Sequence, residues 1–129
     1  MDKLPYEAQL YLLAVSSLQQ GEYAKSLKLF NELIDKYTYN KPEYAEQESG
    51  FYYNRSIAKT QLDDIDGAIQ DLKTSINIYE LHQAYFELFK LYHFKGEPQS
   101  GMSFLIRAYE LGSSEAEKVL RNNTNYFNR

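Results

Sequence analysis

The chain has 129 residues, a formal net charge of -4, thirteen tyrosines, seven phenylalanines and no cysteine. At 16% aromatic it carries too much surface that must be buried to remain disordered, and its length suits one domain, 1–129, with a real core. The missing cysteines exclude disulfides and thiolate metal sites, no run approaches the roughly 20 apolar residues of a membrane span, and the fourteen Lys and Arg are too scattered for a phosphate-binding face.

The opening MDKLPYEAQ contains no apolar run resembling a secretion signal, so a cytoplasmic protein is expected. The first helical pattern places Leu10, Leu13, Ala14 and Ser17 at intervals of three and four. After the turn Gly21-Glu22 a second pattern follows: Tyr23, Ser26, Leu27, Phe30, Leu33 and Ile34. This first unit covers about 6–37. A loop over 38–44 comes next, where Asn40 and Pro42 suit a helix cap and a first-turn proline, with a leading helix extended by one or two turns before Phe51.

The most regular stretch is Phe51 to Tyr79. Tyr52, Arg55, Ser56 and Lys59 recur at helical spacing, and Ile65, Ala68, Ile69, Leu72, Ile76 and Tyr79 form one apolar stripe over about four turns. Asp63, Asp64 and Asp66 interrupt the two patterns. An aspartate there can cap the free amides of the second helix and suits its dipole, while Gly67 suits close approach of the paired helices. This second unit covers about 45–80. The junction from Ile76 to Ala84 has neither Gly nor Pro, so the break that the repeat pattern needs there is not marked, and a single long helix through it would defeat the repeat pattern.

The third unit, about 82–111, has Tyr85, Leu88, Phe89 and Tyr92 before the turn Gly96-Glu97. Pro98 then opens a helix, and Gly101, Met102, Leu105, Ala108 and Tyr109 follow. Gly101 in a helix costs up to about 1 kcal/mol relative to Ala, so it is expected either to be forced by close packing or to be a weak spot in that helix. Gly112 can end this helix and Ser113 or Ser114 can cap another over about 114–122, with Ala116, Val119 and Leu120 on its apolar side. The tail 123–129 shows no apolar period and is expected to be frayed, with Tyr126 and Phe127 either loosely docked or available to a neighbour.

Aligning the turns at 21, 63 and 96 gives offsets of 63 − 21 = 42 and 96 − 63 = 33. The middle unit carries the series YYNRSIAK, LDDIDGAI and Ala68, Leu72, Ser75, and on these residues the chain resembles the tetratricopeptide repeat family over Tyr6 to about Leu111. Tyr52 stands at the bulky position, and Ser56, Ala68 and Ser75 at the small positions where paired helices cross closely. Glu80 stands where the family usually has proline. The resemblance implies an all-α fold, a right-handed α-superhelix (an α-solenoid) of three antiparallel helix pairs plus a C-terminal capping helix, of the sort that repeat stacks use to cover their last apolar face.

The resemblance also implies a concave groove, lined by the leading helices, that holds a peptide segment or partner protein. Carried over residue by residue, the groove comprises Tyr11, Val15 and Leu18, then Tyr53, Asn54, Ile57 and Gln61, then Phe86, Lys90, His93 and Phe94, with Ala8, Leu12, Gln19, Gly50, Thr60, Gln83 and Glu87 also at inward positions. These are mostly apolar anchors. The family's acidic chaperone-tail clamp needs Lys, Asn and Arg, whereas Tyr11, Val15, Gln83 and Glu87 stand at those places and only Asn54 fits, so binding of such a tail is not expected.

No catalytic constellation competes with this reading. His82 and His93 lie eleven residues apart, roughly 16 Å along a helix, too far to share a metal. The Asp63, Asp64, Asp66 cluster lacks the glycine and later bidentate glutamate of a calcium loop. Asn54-Arg55-Ser56 and Asn122-Asn123-Thr124 match the glycosylation pattern, which matters only in a secreted chain. The expected role is a non-catalytic adaptor or scaffold without metal, cofactor or nucleic-acid partner. The alternative is a stoichiometric inhibitor or immunity-like protein, or a self-associating one, using an edge such as the acidic run Glu43 to Glu48.

Overall fold

A computed structural model describes residues 4–122. The tail 123–129, with Tyr126 and Phe127, lies outside the described residues. The described residues form seven α-helices and no strand: α1 Tyr6–Gln19, α2 Tyr23–Lys36, α3 Ala45–Gln61, α4 Ile65–Ile78, α5 His82–Phe94, α6 Pro98–Glu110 and α7 Ser114–Asn122. Each helix packs on its chain neighbour within two compact units, Met1–Tyr79 and Glu80–Arg129.

The turns are alike because the same backbone motif closes each of them. Gly21, Asp63, Gly96 and Gly112 all take positive φ, at 79, 66, 82 and 98°. In each case the next residue's N–H reaches the carbonyl five residues back: Glu22 to Ser17, Asp64 to Lys59, Glu97 to Tyr92 and Ser113 to Ala108. The positive-φ residue itself donates three residues back, which completes the Schellman arrangement and satisfies carbonyls that a helix end leaves free. The residue that ends one helix in this way is followed at once by the cap of the next. Asp64 Oδ1 accepts from Gly67 N–H at 3.0 Å, and Ser113 Oγ accepts from Ala116 N–H at 3.1 Å. Aspartate tolerates the left-handed region better than most residues, which is how Asp63 can serve where the other turns use glycine.

Five residues after each of the first three turn residues stand Ser26, Ala68 and Gly101, and all are buried. A Cβ on Gly101 would lie 3.1 Å from the Phe89 carbonyl oxygen and 3.1 Å from Tyr92 Cβ, so α6 packs closely on α5 at the glycine and an added methyl would have to push its neighbours back. Gly67 differs from expectation. Its missing Cβ leaves room for the Asp64 carboxylate that caps its own helix, not for the facing helix.

In the first unit Leu10, Ala14, Phe30, Leu33 and Phe51 form the core that joins α1, α2 and α3. Burying the leucines and phenylalanines among them contributes about 1.5–3 kcal/mol each. The α3–α4 pair is tied by polar groups as well. Asp71, 3% exposed, accepts from Arg55 Nε at 2.8 Å and Nη2 at 2.7 Å, and Lys59 Nζ stands 3.1 Å away. The Asp71 hydrogen bonds hold the Arg55 guanidinium above its ordinary value. Ser49 Oγ meets the Ser75 carbonyl at 2.8 Å and the Tyr79 carbonyl at 2.9 Å. In the second unit α5 and α6 are joined by rings: Tyr92 stacks on Phe104 at 5.8 Å, and Tyr85 lies 6.2 Å from the same ring. Ala116 and Leu120 of α7 are buried, with Val119 half-buried, on the apolar side expected of them.

Two expectations need correction, and a third is borne out. Leu13 and Tyr79, placed on apolar stripes by spacing, are exposed, because a stripe wide enough to include them exceeds what one neighbouring helix covers. Asn40 does not cap a helix: it takes φ 56° and Lys41 occupies the cap of the short 3-10 turn Pro42–Tyr44. The unmarked junction is broken without Gly or Pro, since Tyr79 and Leu81 are extended, at ψ 128 and 124°.

Candidate functional site

The extended N-terminal part of α3 lies beside α1 and leaves a cleft of about 730 Å³. Glu7, Ala8, Tyr11 and Leu12 share one side of α1 at helical spacing, and Leu4 and Pro5 continue it before the helix begins. Glu46, Gln47 and Gly50 come from the first turns of α3, and Tyr44 from the 3-10 turn that leads into it. The walls are mainly apolar. Leu4 and Leu12 are 54% and 55% exposed, unusually open for residues of their kind.

Polar contacts hold the cleft in shape. One oxygen of Glu7 accepts from Gln47 Nε2 at 2.9 Å, fastening α1 to α3, and the other accepts from the Tyr39 hydroxyl at 3.0 Å, fastening α1 to the loop. The bond to Glu7 raises the Tyr39 phenol above its ordinary pKa. Tyr39 and Tyr44 rings lie 4.8 Å apart. The loop backbone is pinned by Glu48, 2% exposed, which accepts from Tyr39 N–H at 2.7 Å. Glu48 is therefore turned inward and unavailable to a partner, unlike the rest of the acidic run Glu43 to Glu48. A Cβ built on Gly50 would meet nothing within 4 Å, so the cleft floor is open there.

The residues carried over from the resemblance divide among three settings. Ala8, Tyr11, Leu12 and Gly50 line the cleft. Tyr11 also serves the core, with its ring 5.9 Å from Phe51 and 6.4 Å from Phe30. Val15 and Leu18 pack on the same core and are half-buried. Tyr53, Asn54 and Ile57 are half-buried farther along α3, where Gln61 is exposed. Phe86, Lys90, His93 and Phe94 belong to α5 of the second unit. There Lys90 Nζ lies 5.1 Å over the Phe86 ring, Phe89 stands 6.0 Å from Phe86 and 6.1 Å from His93, and Phe94 is 72% exposed.

Leu4, Pro5 and Glu7 were not among the expected site residues, and Tyr44, Glu46 and Gln47 were expected only as part of the alternative edge Glu43 to Glu48, not of the groove. The signal that could have found them is the helix extension itself: once α3 begins near residue 45, Glu46, Gln47 and Gly50 fall on one side of it.

Among the described residues no group of three or more His, Asp or Glu side chains is gathered to hold a metal ion, and no helix is long and apolar enough to cross a membrane. His82 opens α5 and is half-buried, while His93 near its end is exposed. The arrangement offers apolar surface, a few orienting polar groups and a fixed shape, which are the elements of recognition. No protein-family model matches the chain, and no curated protein matches it either.

Proposed function

We propose that this chain is a non-catalytic protein-interaction module of the tetratricopeptide-repeat kind, a cytoplasmic adaptor or scaffold that holds a segment of a partner protein in the cleft between α1 and α3. The observation that carries this reading is the cleft: a fixed apolar concavity of about 730 Å³ with exposed Leu4 and Leu12 on its wall. The repeat assignment is supported by the recurring Schellman turns and by the buried Ser26, Ala68 and Gly101 at matched places after them. An acidic chaperone tail is not the partner, since the described lining residues include Glu7 and Glu46 and no Lys or Arg.

Gly50→Leu tests the reading cleanly. The leucine fills the open floor, and replacing glycine inside a helix stabilises it by up to about 1 kcal/mol. Partner capture from the native host should be lost with this variant while its melting temperature stays level or rises. Equal capture by both chains would reject the cleft. A second reading, self-association through an edge, is favoured by Phe94, and sedimentation of the wild-type chain against Phe94→Ala distinguishes it.

A further inference from the structure

The charges around the cleft point to the chemistry of its occupant. Among the described lining residues are two carboxylates, Glu7 and Glu46, and no Lys, Arg or His. Glu7 already accepts one hydrogen bond on each oxygen, but each oxygen retains a further lone pair. Glu46 is exposed and makes no ion pair among the described residues. A concave, low-dielectric wall bearing charge of one sign strengthens the field inside it, and the chain's net charge of -4 adds to the same sign. An anionic segment entering here would meet repulsion at both carboxylates. Tyr44, with its ring against Tyr39, offers a face on which a cation can rest at the mouth.

We infer that the occupant is a peptide segment of a partner protein that places an apolar side chain against Leu12 and Tyr11 and a Lys or Arg, within one helical turn of it, against Glu46. The inference rests on the cleft reading above and adds the sign of the partner's charge. The cation stays near the rim, where it keeps part of its hydration, so it sets orientation and on-rate more than total affinity.

The test uses the full chain, immobilised, with a random-peptide library displayed on phage, and Gly50→Leu as the counter-selected chain. Peptides enriched on the wild type and lost on Gly50→Leu should carry Leu, Ile, Met or Phe with Lys or Arg three or four residues away. Synthetic copies of them should bind roughly fivefold more weakly to Glu46→Lys and weaken with added salt. If enriched peptides depend on Gly50 but show no preference for Lys or Arg, the charge assignment fails and the cleft reading survives. If no enrichment depends on Gly50, both fail. A wild-type dimer that Gly50→Leu dissociates would make a second copy of this chain the occupant and overturn the inference.

Discussion

The α3–α4 and α5–α6 pairs share one turn and differ in almost everything that joins them. The first is closed over Asp71, with Arg55 and Lys59 both held to it and Ser49 bonded to carbonyls of the opposite helix. The second is closed by Tyr85, Tyr92 and Phe104 and by a glycine at the crossing. Backbone hydrogen bonds at residues 59–64 and 92–97 are the same in pattern. The difference teaches that the turn sets the antiparallel return, while the facing side chains only need to fill the space it creates. They do so with ions in one pair and rings in the other.

Breaking each closure should therefore cost different amounts for different reasons. The largest effect is expected at Asp71→Ala, which leaves Arg55 and Lys59, with side chains only 17% and 19% exposed, without their shared counter-charge. Loss of one partner from such a cluster costs about 3 kcal/mol, less than in a fully dry site because the cations reach some water. Urea denaturation will read it. A loss below about 1 kcal/mol would mean that the ions are tolerated and do not hold the pair together.

A contrast between two glycines sharpens the comparison at intermediate size. Gly101→Ala sets a methyl against the Phe89 backbone, which cannot rotate away, and should cost about 1–2 kcal/mol after the gain in helix propensity. In Gly67→Ala the clash is with the Asp64 carboxylate, 2.2 Å away on a flexible side chain. Losing that cap, worth about 1 kcal/mol, is offset by a propensity gain of similar size. Equal destabilisation by the two substitutions would show that the α5–α6 crossing is no tighter than a cap.

The smallest effect concerns the surface of the second unit. Glu80 accepts from Arg107 and from the Tyr85 hydroxyl, and the Arg107 bond, first among the causes, holds its carboxyl below the ordinary 4.5. The stabilisation from this lowered acid is complete above pH 4.5 and disappears as pH falls through the folded-state value. Wild type should therefore exceed Arg107→Gln in melting temperature near neutral pH, with the gap closing in acid. A gap that persists unchanged at low pH would assign the role of Arg107 to packing alone.

Much of the fold was legible in the residues. Gly21, Gly96, Gly112 and Asp63 announce turns through their backbone freedom, Pro98 announces a helix start, and apolar spacing names Phe30, Leu33, Leu72 and Leu105 as core. The break at Tyr79–Leu81 was not marked, because two extended residues of ordinary type suffice to make it. The cleft was legible in part: Ala8, Tyr11, Leu12 and Gly50 were placed by resemblance, and Glu7, Tyr44 and Glu46 were not.

Helix, turn and helix again follow from local rules, since backbone conformation at Gly21, Asp63 and Gly96 and apolar period around them depend only on residues within a few positions along the chain. What the cleft contains depends on Glu7 meeting Gln47 and Tyr39, partners forty and thirty-two residues away. Only the packed molecule decides that Leu12 stays open while Leu10 is covered, because exposure is set by which neighbour arrives and not by the side chain's own hydrophobicity.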